Sequence, residues 1–91
     1  MGMDETPKPA ISRPAVDFLR AELLTGRTLS NIALRSLNQE KRTRNQANAR
    51  KAYDAILRFL AGSKLDVEQA AEIKSKLEEL QSDLRLLGEQ V

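Results

Sequence analysis

A chain of 91 residues, 41% of them apolar and 31% charged, with a net charge of +2, has the size of one small domain and enough apolar side chains for a packed core. It contains no Cys and no His, which excludes disulfides, thiolate zinc sites and cysteine nucleophiles and removes the commonest metal ligand. Leu, Ala, Glu, Lys, Arg and Gln dominate while aromatics make up only 3%, a choice that suits helices and not a sheet.

The opening residues 1–13 carry Pro7 and Pro9 among small and charged side chains, with Ile11 the one sizeable apolar group beyond the Met residues. Such a segment buries too little surface to offset its ordering entropy, so the expectation is a disordered tail. It also lacks the apolar core of a secretion signal, and no apolar run in the chain nears the ~20 residues that span a bilayer. A cytoplasmic location and no membrane partner follow as expectations.

Residues 14–91 are expected to form an antiparallel three-helix bundle, with helices at about 14–37, 39–61 and 66–87. In the first, Pro14 suits the opening turn, where its missing N–H costs nothing. Val16, Leu19, Leu23, Gly26, Ser30, Ala33 and Leu37 then follow one face. That face keeps its phase across Gly26, which predicts a continuous helix with Gly26 at a close helix–helix approach.

The second helix has two candidate starts, Asn38 as an N-cap or Thr43 with Gln46 as a capping box. Ala49, Ala52, Tyr53, Ile56, Leu57, Phe59 and Leu60 supply a broad apolar face, and Gly62 is placed to end the helix in the left-handed conformation. The third helix has the clearest start: Asp66 caps it, Gln69 completes the box, and Leu65 is placed to pack back on Ala70. Ala70, Ile73, Leu77, Leu80, Leu84 and Leu87 alternate three and four apart as a heptad seam, and Gly88 closes the helix. Short connections make neighbouring helices antiparallel.

Charge is unevenly distributed. Residues 1–40 sum to zero; residues 41–64 hold Lys41, Arg42, Arg44, Arg50, Lys51, Arg58 and Lys64 against Asp54 alone; residues 65–91 sum to −4. Arg44, Lys51 and Arg58 recur at intervals of seven, on the helix face opposite Ala52, Tyr53, Ile56 and Leu60. Such a row serves to contact phosphates. It also serves as a solvated face, with Asp54 in reach of Arg50 and Arg58, charge-matched to the acidic third helix. The single Tyr lies on the apolar face, as a core residue with its hydroxyl at the rim, and so offers no platform for stacking bases. Asn45, Gln46 and Asn48 offer little for groove reading. The reading adopted from sequence is therefore a solvated face.

The stretch NARKAYDAILRFL, residues 48–60, resembles the second helix of a tetratricopeptide-type hairpin, with Ala49, Tyr53 and Ile56 at its small, aromatic and packing positions. It is also similar to a helix of the microtubule-interacting-and-transport domains. NQANARKAYDAILRFL together with GRTLSNIAL looks like a group of short uncharacterised bacterial all-helical proteins, over residues 22–61. The two named families imply peptide or helix binding in a groove between helices; the third brings no activity. The Trp, Leu-Gly and Tyr pattern of a tetratricopeptide first helix is absent, and one hairpin stands where arrays need about three units.

The expected function is that of a non-catalytic protein–protein interaction module, docking a partner helix or self-associating. Leu24, Ile32 and Leu86 fall outside the main seams and are the partner-binding candidates. The alternative is nucleic-acid binding through Arg44, Lys51 and Arg58. No catalytic set, cofactor or metal is expected.

Overall fold

The computed structural model describes residues 7–91, with side chains from Pro14 onward. It contains three helices and, among the described residues, no strand: α1 (Pro7–Arg35), α2 (Gln39–Ala61) and α3 (Val67–Leu86). Residues 1–6 of the expected tail lie outside the described residues. α1 begins seven residues before the start expected at Pro14. Pro7 and Pro9 fall at its first and third positions, within the turn whose N–H groups have no intrahelical partner. Pro14 lies instead inside the helix, where it withdraws one hydrogen bond from the ladder.

The order of contacts fixes the topology. Phe18 meets Phe59 and Gly26 faces Ala52, so α1 and α2 are antiparallel. Tyr53 bonds Gln81 and Arg50 bonds Glu89, so α2 opposes α3. Arg20 reaches Glu72 and Arg27 reaches Asp83, so α1 and α3 run the same way. α1 is the hub, packed extensively on α2 and next on α3, with direct α2–α3 contact sparse.

Leu19, Leu23, Ala49, Tyr53, Ile56, Ile73, Leu80 and Leu84 form the buried cluster, with Leu29, Leu60, Leu65, Leu77, Leu87 and Val91 packed on its edges. α1 is continuous through Gly26, as the phase of its face predicts. A Cβ there would lie 2.8 Å from Leu80 Cδ2 and 3.5 Å from Ala52 Cβ, so the glycine is where all three helices meet. Leu37, expected on the seam, is fully exposed because α1 ends at Arg35. Ala70 is likewise exposed, so the buried part of the α3 seam begins at Ile73.

The helix ends are held by local chemistry. Asn38 caps α2, its side chain accepting from Lys41 N at 2.8 Å; Thr43 is inside the helix and accepts from Gln39. Gly62 ends α2 at φ −106°, outside the left-handed region, so any residue could adopt its backbone. Asp66 and Gln69 form the capping box of α3. At the far end Gly88 is left-handed, at φ 99°. Gly88 N donates to Arg85 O (3.0 Å) and Glu89 N to Leu84 O (2.9 Å), the paired bonds of a Schellman turn. That turn carries Glu89 back against α2.

Candidate binding surfaces

The first candidate is a groove of about 240 Å³ between α1 and α3, lined by Arg20, Leu23, Leu24, Arg27, Lys76 and Glu79. Leu24 stands 69% exposed at its edge. The walls are ionic. Arg20 donates twice to Glu72, at 2.7 Å from each nitrogen. Arg27 bridges Glu79 and Asp83, its Nε 2.8 Å from Asp83 Oδ2. The buried Ser30 hydroxyl sits 3.1 Å from that same carboxylate oxygen. The hydrogen bond from Arg20 holds the Glu72 carboxyl below its ordinary pKa and raises that of the guanidinium.

The three partner-binding candidates do not share this surface. Leu24 lines it. Ile32, eight residues on, is turned by roughly 80° about the axis of α1 and is half-buried. Leu86 is 71% exposed at the C-terminal end of α3 and is not part of the groove lining. Of the three, Leu24 alone lines this groove.

The second candidate is the outer face of α2. Arg44, Lys51 and Arg58 are all exposed, as their heptad spacing implies. The charge matching expected between α2 and α3 is largely absent. Acids of α3 are engaged by α1, through Arg20–Glu72, Arg27–Glu79 and Arg27–Asp83. Among the described residues, Arg50 is the one α2 cation in an ion pair, with Asp54 at 3.1 Å and with Glu89 at 2.8 Å; Asp54 makes no ion pair with Arg58. Lys41, Arg42, Arg44, Lys51, Arg58 and Lys64 have no carboxylate within ion-pair distance among the described residues. Glu22 of α1 is half-buried and makes no ion pair among the described residues.

Tyr53 is buried with its hydroxyl accepting from Gln81 Nε2 at 3.2 Å, the core residue with a polar rim that its position implies. The feature sequence reasoning missed is an aromatic pair. Phe18 (40% exposed) and Phe59 (36% exposed) contact each other at the surface, ring centroids 4.6 Å apart and planes inclined by 46°. Phe59 follows Arg58 directly. Its place in an otherwise apolar run gave no signal that it would lie outside the core.

Among the described residues no group of three acidic, His or Cys side chains is gathered to hold a metal, and no helix is long and apolar enough to cross a membrane. No protein-family model, curated protein or solved structure matches the chain.

Proposed function

We propose that the chain is a non-catalytic binding module whose working surface is the outer face of α2 and whose partner is a nucleic acid. The observation that supports this reading is the exposed row Arg44, Lys51 and Arg58, which makes no ion pair among the described residues, while Glu72, Glu79 and Asp83 of α3 are engaged by α1. Cations free of intramolecular partners release no carboxylate when they meet a phosphate, so the full gain of displaced counterions goes to binding. The row is rigid and evenly spaced, about 10.5 Å between successive cations along the axis. It suits a partner whose charge repeats regularly.

The test is a titration of labelled nucleic acid with the full-length protein across a range of salt. Affinity falls steeply with salt, and replacing Arg44, Lys51 and Arg58 together by Gln reduces the log–log slope by about 2 to 3, the contribution of three phosphate contacts. No binding at low salt, or a triple variant that binds as well as the parent, would overturn the reading. Binding to anionic vesicles with none to nucleic acid would transfer the surface to a lipid partner.

A second reading, docking of a partner's amphipathic helix, is favoured by the groove between α1 and α3 and by the exposure of Leu24 beside it. Capture of a protein partner that survives nuclease treatment, and its loss on Leu24→Ser with helicity intact, would support it. Retention of that partner by the Leu24→Ser variant would count against the groove.

A further inference from the structure

Both Phe residues of the chain are at the surface, while the core is filled by Leu, Ile, Val, Ala and one Tyr. Single exposed apolar residues are ordinary on a protein surface. Here, however, the two bulkiest apolar side chains the sequence owns sit together, and a Leu would fill a core gap between helices equally well. Phe59 and Phe18 pack against each other in a tilted contact, which restricts the ring orientation at little further entropic cost. The helical phase of α2 sets Phe59 between its α1-facing side and the basic row, with Ala55 and Lys51 next around the helix.

The row and the rings together discriminate among nucleic acids. A duplex keeps its bases stacked inside and offers aromatics no face, whereas a single strand presents both a phosphate track and unstacked bases. Small side chains, Ala47, Asn48 and Ala55, lie on and beside the row and leave it low in profile. From the juxtaposition of Phe59 and Phe18 with Arg58, Lys51 and Arg44 we infer that the partner is single-stranded nucleic acid, with phosphates along the row and a base stacked on the Phe59 ring. This rests on the nucleic-acid reading of α2. Sequence preference is weak in such a site, because every base has a stacking face.

The experiment compares, by fluorescence anisotropy, a labelled oligothymidylate of about 15 nucleotides, within the usual range of single-strand site sizes, and a blunt duplex with the same number of phosphates. The full-length protein binds the single strand at least about tenfold more tightly than the duplex. Phe59→Leu, which keeps an apolar side chain at a partly exposed position, lowers single-strand affinity about tenfold. It leaves the salt slope and the duplex affinity unchanged. Phe18→Leu gives a smaller loss of the same kind, since it removes the support and not the platform, and circular dichroism confirms that both variants stay helical. Equal affinity for the two nucleic acids, or a Phe59→Leu variant indistinguishable from the parent, overturns the single-strand inference while leaving the nucleic-acid reading of α2 in place. Absence of binding to either at low salt overturns both.

Discussion

Gly26 is the residue on which the bundle turns. A glycine inside a helix costs about 1 kcal/mol relative to Ala, so Gly26→Ala taken alone on α1 would stabilise. Its new methyl, however, meets Leu80 Cδ2 at 2.8 Å and Cδ1 at 3.3 Å, and Leu80 is fully buried in the core, so it must shift among close-packed neighbours to make room. Overpacking of this kind costs roughly 1–3 kcal/mol, so the net expectation for Gly26→Ala is a loss of about 1 kcal/mol. The sign should reverse in a Leu80→Ala background, where the clash is gone and the helix preference is left. Chemical denaturation of the four proteins checks this; additive effects would show that the close approach is not what holds Gly26. The continuity of α1 through this residue was legible because apolar phase is a property of the sequence. The exposure of Phe18 and Phe59 was not, since a helical face tells which residues are apolar and not how many of them the neighbouring helices have room to cover.

At the scale of the elements, helix ends with side-chain signals were the legible part. Asn38, Asp66 with Gln69, and Gly88 each do what their chemistry implies. The start of α1 was not legible, because Pro suits any position in a first turn and three prolines compete for the role. Gly62 misleads for a related reason: a glycine permits the left-handed turn without requiring it. Asn38→Ala removes the one side-chain acceptor from the α2 N-terminus and should cost about 1 kcal/mol. The Schellman turn at Gly88 has a longer reach, because it places Glu89 against Gln46 (2.6 Å) and Arg50 (2.8 Å). Hydrogen bonds from Gln46 and then Arg50 hold the Glu89 carboxyl below its ordinary pKa, as that from Arg20 does for Glu72. A depressed carboxylate contributes stability that is complete above its unfolded pKa, about 4.3, and is lost as pH falls through the lower folded value. The melting temperature should therefore hold steady from neutral pH down to about 5 and decline below about 4. Glu89→Gln should lower it by a few degrees at neutral pH and flatten the acid decline. Melting curves of parent and variant that run parallel down to pH 2 would show that Glu89 does not clamp the C-terminal turn to α2.

Over the whole molecule, two groups of charges beyond the Arg50–Glu89 clamp have different consequences. The first lies between α1 and α3, where Arg27, Asp83 and the buried Ser30 share a partly buried network. Removing the negative charge there leaves Arg27 and Ser30 poorly matched, so Asp83→Asn should cost roughly 1–3 kcal/mol. The second is the outer face of α2, where Arg44, Lys51 and Arg58 make no ion pair among the described residues. Replacing Arg44, Lys51 and Arg58 by Gln removes mutual repulsion and a distant attraction to Asp54, small terms of opposite sign. Gln is about as good a helix former as Lys or Arg. The triple variant should therefore match the parent in stability within about 0.5 kcal/mol, or about 2–4 °C in melting temperature for a domain of this size. The contrast separates charges that hold the bundle together from charges that the bundle only displays. A fall of more than about 5 °C in the triple variant would put the α2 row among the structural charges and would mean that its loss of binding could not be read as loss of a contact surface.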